Sequence, residues 1–150
     1  MDTSFARFDM ASAAIDELRK RGGGFAVERY TVPGIKDLAA GARILFDRDC
    51  DLVLALGMVG RQPVDKDCAF AADVGLQFVQ AHVGRHVLGV MVHEDEAEDE
   101  SRLAWLFDRR TREHAANAYD LLFRPEAIRA RAGTGQREGF ADAGPIRVRP

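Results

Sequence analysis

The sequence predicts a single α/β domain in which helices cover both faces of a parallel sheet. Two short apolar runs, 52–56 and 86–92, have the length and composition of buried strands. Strands that are apolar along their whole length are buried on both faces, which is typical of parallel sheets between helix layers. Helical segments separate these runs, and this alternation favours a doubly wound layered fold.

The predicted strands end at residues that commonly terminate strands. Three strands are predicted: 25–31 before Pro33-Gly34, 52–56 before Gly57, and 86–92 before His93. The first of these is the weakest, and three strands make a thin sheet for this class. Doubly wound folds usually begin with a strand, often a central one, whereas this chain opens on a helix. The pattern therefore indicates that a first strand is missing from the printed chain.

Helices are predicted where apolar residues recur every three or four positions. Three shorter stripes cover 10–18, 35–46 and 69–79. The longest helix is predicted from about 95 to 122, with one face formed by Leu103, Phe107, Arg110, His114, Ala118 and Leu121. A last short helix follows Pro125, because proline suits the first helical position. The domain spans 1–150, with an irregular, glycine-rich tail over 133–150.

Composition excludes several classes of function. A chain of 150 residues is long enough for one buried core. The net charge of −3 gives no electrostatic case for a nucleic-acid or membrane partner. Cys50 and Cys68 have neither metal-site nor disulfide spacing, and no apolar run approaches the roughly 20 residues of a membrane helix. Because Asp2 and Arg7 interrupt the opening residues, no signal peptide is indicated, and we expect a cytoplasmic protein.

Ligands of open parallel sheets bind beyond the carboxyl ends of the strands, which fixes where the candidate site lies. Small residues, hydroxyls, an aromatic ring and titratable groups follow the predicted strand ends, and such a set suits a planar polar heterocycle with a polyhydroxy tail. It does not suit a metal-only hydrolase or a dinucleotide enzyme. Each of these features also has an ordinary structural interpretation. Phe5 is then a core residue, Pro33-Gly34 is a turn, and 94–100 is the solvated start of a helix. These residues alone predict only an α/β protein that binds a small ligand.

Five segments resemble motifs of the archaeal-type riboflavin synthases. They are DTSFARFDMA at 2–11, YTVPGIKDL at 30–38, ALGMVG at 55–60, VHEDEA at 92–97 and GFADAGP at 139–145. The segments keep the family's order and cover nearly the whole chain. The resemblance implies a flavodoxin-like three-layer α/β/α sandwich with a short parallel sheet, and a homopentamer with active sites between subunits.

The resemblance also implies a reaction and roles for residues. Two molecules of 6,7-dimethyl-8-ribityllumazine would yield riboflavin and 5-amino-6-ribitylaminouracil, with a divalent cation (Mg²⁺ or Mn²⁺) favouring activity. Phe5 would stack on a ring, and Ser4 and Arg7 would orient it. The other substrate-binding candidates are Val32, Pro33, Gly34, Ile35 and Lys36, acting through backbone groups, and Gly57, Met58 and Val59. The acid–base or cation-binding candidates are Asp65, Lys66, His93 and Glu94, and no metal ligand is assigned.

Two alternative functions stay open at this point. A lumazine synthase-like enzyme needs a phosphate cradle, but the loop 60–66 lacks serine, threonine and histidine, and Pro63 has no N–H to offer. The lysine that would bind phosphate in that enzyme aligns with Ala118. A non-catalytic lumazine or flavin carrier is the other alternative, because Phe70-Ala71 stand where the riboflavin synthases have a His-Glu pair.

The opening motif bears on the missing strand. In the resembled family, this motif follows directly after an apolar first strand. Met1 takes the last apolar position of that strand, so we expect it to be an internal methionine of the natural chain. Without the strand, the segments around Val27 and Leu54 are expected to leave backbone groups unpaired.

Overall fold

The structure is a computed structural model that describes residues 1–137 and 141–148. In this part of the chain, strands and helices alternate as the sequence predicts, but a short strand precedes the first helix, so the expectation that the chain opens on a helix is wrong. The strands are β1 (Asp2–Thr3), β2 (Thr31–Val32), β3 (Val53–Val59) and β4 (Val87–His93). The α-helices are α1 (Met10–Arg21), α2 (Leu38–Asp47), α3 (Pro63–Val83), α4 (Glu100–Phe123) and α5 (Pro125–Arg131). Ile35–Asp37 and Glu94–Glu96 form 3₁₀ helices.

The four strands form two parallel pairs, β2-β1 and β3-β4. β1 pairs in parallel with β2, and β3 pairs in parallel with β4 over seven residues. Met1 joins the two pairs, because its amino group donates to the carbonyl of Leu54 (2.6 Å) and its carbonyl accepts from the N–H of Leu56 (3.0 Å). The short opening strand therefore lies in the centre of the sheet, as a doubly wound fold requires.

Two helix layers enclose this sheet and give it two cores. On one face, α2 and α3 cover a cluster that includes Leu38, Phe46 and Ala55. On the other face, α1 and α4 cover a cluster that includes Met10 and Phe107. Successive residues of β3 alternate between the two clusters, as the two-residue period of a strand demands. The predicted three-layer α/β/α sandwich is confirmed.

Local caps explain where the helices differ from their predicted bounds. α3 begins at Pro63, six residues before the predicted stripe, because the Asp65 carboxylate accepts the N–H of Gln62 (3.0 Å) and caps the first turn. α4 begins at Glu100 rather than near 95, because the Asp99 carboxylate caps it by accepting the N–H of Arg102 (2.7 Å). α5 starts at Pro125 as predicted.

The predicted strand over 25–31 is wrong for most of its length. Only Thr31 and Val32 belong to β2, and 25–30 has no strand partner in the part of the chain that the structure describes. The reason is that a strand exists only through its neighbour, and the described chain supplies a neighbour from Met1 to Thr3 alone.

The C-terminal tail lies outside the two cores. Its described residues 133–137 and 141–148 belong to no helix or strand, and residues 139–140 of the GFADAGP segment lie outside the described residues. No helix in the described ranges is both long and apolar enough to cross a membrane.

Candidate active site

The ends of β1 and β2 are joined by hydrogen bonds at the carboxyl edge of the sheet. The N–H of Ser4 donates to the carbonyl of Val32 (2.9 Å), and the Ser4 hydroxyl donates to the carbonyl of Pro33 (3.2 Å). The Val32 side chain is buried in the core. These contacts fix the backbone of the opening segment, so Ser4 and Pro33 hold the site together in the single chain.

Phe5 lies at this edge and belongs to neither core. Its side chain is 76% exposed, so the interpretation of Phe5 as a core residue is wrong. The backbone on its amino-terminal side is fixed by the Ser4 contacts, whereas its ring faces open space. An aromatic face held in this way can stack on a planar ligand.

Arg7 connects the opening segment to the end of β4. Its guanidinium donates to Glu94 (3.2 Å) and forms a second ion pair with Glu100, and its backbone N–H points at the sulfur of Met58 (3.4 Å). Arg7 and Glu94 are thus brought together as predicted site residues. In the single chain, the charges of Arg7 and Glu94 are therefore paired with each other.

The end of β3 packs closely against Ile35 and against Met91 of β4. A Cβ on Gly57 would lie 2.5 Å from the sulfur of Met91 and 3.0 Å from a methyl carbon of Ile35, so a larger residue there would have to displace the Met91 side chain. The N–H of Gly34 donates to the Asp37 carboxylate (3.2 Å). Val59 is fully buried, so it can reach a ligand only through its backbone.

Asp65 and Lys66 occupy the first turn of α3. The Asp65 carboxylate caps the helix at Gln62 and crowds Gly60, where a Cβ would lie 2.2 Å from its oxygen. Lys66 forms an ion pair with Asp95, and this ammonium holds the pKa of Asp95 below its usual range. In this single chain Asp65 therefore serves the helix terminus, and Lys66 joins α3 to the segment after β4.

His93 is oriented by a network that the sequence interpretation missed. Its backbone N–H donates to the Glu96 carboxylate (2.8 Å). Arg110 of α4 donates to the same carboxylate from both of its terminal nitrogens (2.8 and 2.5 Å). It also donates to the carbonyl of Met91 (2.9 Å). The Arg110 guanidinium keeps the pKa of Glu96 below its usual range, so Glu96 stays charged near neutral pH. The end of β4 is therefore rigidly held.

Asp73 is a second residue that sequence reasoning did not select. Its carboxyl, on α3, lies close enough to His93 for the imidazole charge to act on it. Partial burial raises the pKa of Asp73, and charge on His93 opposes that rise. The only available sequence signal was its position two residues after Ala71 of the altered His-Glu pair.

The structure bears on two predicted features of ion binding. Ala118 is buried beside Tyr119 and Phe123 at the opposite end of the sheet, so the alignment that placed a phosphate-binding lysine at Ala118 is wrong for this site. Among the described residues, no group of three or more His, Cys, Asp or Glu side chains has the arrangement of a metal site. Phe70 and Ala71 supply no ligand either.

Comparison with known proteins yields one family and several close relatives. The family model for 6,7-dimethyl-8-ribityllumazine synthase matches residues 3–126. A riboflavin synthase from Methanothermobacter thermautotrophicus is 49% identical over 146 residues, which cover 97% of this chain and 95% of the relative. Riboflavin synthases from Archaeoglobus fulgidus and Aeropyrum pernix are 48% and 47% identical, each over 97% of this chain and 95% of its own.

Proposed function

The chain belongs to the 6,7-dimethyl-8-ribityllumazine synthase family, and from its relatives we infer that it is a riboflavin synthase. The reaction is a dismutation in which one 6,7-dimethyl-8-ribityllumazine transfers a four-carbon unit to a second. The products are riboflavin and 5-amino-6-ribitylaminouracil, so all atoms of the two substrates are retained. The observation that carries this inference is 47–49% identity over almost the full length of proteins named riboflavin synthase.

The first turn of α3 supports riboflavin synthase over the phosphate-using sister activity. A helix N-terminus binds phosphate through free N–H groups and its positive dipole. Here Pro63 has no N–H, and the Asp65 carboxylate already accepts the N–H of Gln62. A phosphorylated substrate would meet a negative charge at this position, whereas the unphosphorylated lumazine would not.

The geometry supports a division of roles at the carboxyl edge. One proton must leave the acidic C7 methyl group of the donor lumazine before its carbon attacks the second molecule. His93, held at the end of β4, is our candidate for the group that accepts this proton, and Phe5 is our candidate for the stacking surface. Holding two rings in register contributes through proximity, by up to roughly 7–11 kcal/mol in favourable cases.

Incubation of the purified protein with 6,7-dimethyl-8-ribityllumazine tests this function. We expect riboflavin and 5-amino-6-ribitylaminouracil in equal amounts, detected by absorbance and chromatography. Binding of the lumazine without turnover would instead identify a carrier. Turnover only when 5-amino-6-ribitylaminouracil and a phosphorylated four-carbon ketone are supplied would identify a lumazine synthase.

The dependence of activity on a divalent cation stays a prediction. The described residues offer no ready metal cluster, so we assign no step of the reaction to a cation. The same assay with Mg²⁺, with Mn²⁺ and with a chelator measures the dependence directly. We also propose that the protein acts in the cytoplasm, in keeping with its two cysteines that form no disulfide in the structure.

We propose further that five copies form a ring with active sites between subunits. Two exposed aromatic side chains, Phe70 (73% exposed) and Phe78 (72%), lie with Val74 at positions i, i+4 and i+8 of α3, so they share one helix face. Large exposed apolar patches mark interaction surfaces.

Light scattering at micromolar concentration is expected to give the mass of a pentamer. Phe78→Asp should lower that mass, because a carboxylate would be buried without a partner in the interface. Ile146→Asp makes a similar exchange in the exposed tail and should leave the mass unchanged. A monomeric parent protein would contradict the proposal.

A further inference from the structure

The loop that carries Phe5 has both of its ends bound to the same arginine. This opening loop, residues 4–8, connects β1 to α1. One terminal nitrogen of Arg29 donates to the Asp2 carboxylate before the loop (2.5 Å) and to the Asp9 carboxylate after it (3.1 Å). A loop whose ends are held together has fewer accessible conformations than one whose ends are free. We call this arrangement of three charged side chains the Arg29 clamp.

The Asp2 arm of the clamp is buried. Asp2 is only 6% exposed, and its other carboxylate oxygen accepts the hydroxyl of Thr31 (2.7 Å), its partner across β1 and β2. A buried carboxylate requires an opposite charge and hydrogen bonds. The hydrogen bond to Asp2 also raises the pKa of Arg29, so the guanidinium stays charged. Asp2 therefore fixes where the Arg29 guanidinium lies.

The Asp9 arm of the clamp lies at the surface and also caps α1. One carboxylate oxygen accepts the N–H of Ser12 (3.1 Å), and the other accepts its hydroxyl (2.7 Å). These two hydrogen bonds, with a smaller contribution from Arg29, hold the pKa of Asp9 below its usual range. Asp9 is therefore ionised near neutral pH. Because its side chain is half-exposed, this arm can be removed without leaving a buried charge unpaired.

The orientation of the Phe5 ring depends on the backbone of the opening loop. The ring is exposed and belongs to neither core, so no packed side chains hold it in place. On its carboxyl-terminal side, the N–H of Ala6 donates to the carbonyl of Thr3 (3.3 Å), which turns the chain back towards β1. Whatever fixes the ends of this loop therefore also fixes the direction of the ring.

We propose that Arg29 is a positioning residue, which orients Phe5 for stacking on the lumazine ring by tying Asp2 to Asp9. This inference rests on the proposed function, because the lumazine is the ring that Phe5 would bind. Arg29 itself touches no reacting atom in this arrangement. It acts on binding of the substrate and not on the proton transfer assigned to His93.

Asp9→Ser tests the clamp, because serine is too short to reach Arg29 but still caps a helix well. The dissociation constant for 6,7-dimethyl-8-ribityllumazine, measured from its fluorescence, is expected to rise by up to about tenfold, the scale of one lost aromatic stacking contact. Amide exchange at Ala6 should become faster. The matched control is Asp47→Ser, which removes an ion pair with Arg43 on α2 and should change neither quantity.

The same exchange in a Phe5→Ala background separates positioning of the ring from a general effect on the fold. If the clamp acts through Phe5, Asp9→Ser raises the dissociation constant in the parent but not in Phe5→Ala. An unchanged constant in Asp9→Ser, an equal rise in both backgrounds, or parental binding by Phe5→Ala would each overturn the proposal. A parent that binds the lumazine without forming riboflavin would contradict the proposed function alone, since the clamp is tested by binding. A parent that does not bind it would contradict both.

Discussion

Replacing His93 with alanine is expected to lower riboflavin formation by about 10²–10⁴-fold, the usual contribution of a positioned acid–base group. His93 ends β4 at the carboxyl edge of the sheet, beside the Arg7–Glu94 bridge. Its backbone is held by Glu96, and Glu96 is held by Arg110. Because these contacts use the backbone of His93 and not its imidazole, the variant should keep its fold.

The control for this prediction lies just before the same strand. His86 directly precedes β4, at the opposite end from His93, so His86→Ala removes an imidazole without touching the candidate site. We expect parental turnover for His86→Ala and similar urea midpoints for both variants. His93→Ala with parental turnover would exclude His93 as the proton acceptor, and Asp73→Asn would then be the next variant to measure.

Phe107→Ala is expected to have the largest effect on stability, a loss of about 3–5 kcal/mol in the free energy of unfolding. The Phe107 side chain is only 2% exposed and belongs to the core beneath α1 and α4. It also stacks on Phe8, with ring centroids 5.6 Å apart and planes 12° apart. Phe8 leads from the opening segment into α1, so this stack secures the segment that carries Phe5.

A loss of that size is a large part of the roughly 5–15 kcal/mol that stabilises a typical domain. Urea unfolding followed by circular dichroism, at one fixed protein concentration, measures the change. Phe107→Leu keeps much of the buried volume and should lose clearly less. A change below about 1 kcal/mol in Phe107→Ala would mean that the core collapses around the cavity or that the site is less packed than the structure shows.

The sequence by itself determined the elements whose signals are local. The apolar runs at 52–56 and 86–92 overlap β3 and β4 except for their first residues, because a strand buried on both faces must be apolar throughout. Pro125 fixed the start of α5. The edge of the sheet that carries the candidate site also followed from sequence, since the carboxyl ends of parallel strands meet at the same edge.

Tertiary structure alone decided whether 25–30 becomes a strand. The sequence of this segment resembles a strand, yet a strand is stabilised by hydrogen bonds to its neighbour, and the printed chain supplies that neighbour only from Met1. The missed network at His93 has a similar cause. Arg110 and Glu96 are 14 residues apart and meet only because α4 packs along β4.

The same limit explains the two misplaced interpretations of single residues. Phe5 is of a residue type that usually lies in a core, and Ala118 was aligned with a phosphate-binding position. The structure exposes the first at the carboxyl edge and buries the second at the far end of α4. The type of a residue determines which contacts its side chain can make. The distance of that side chain from the edge of the sheet depends on helix length and packing, and these involve residues that are far apart in the sequence.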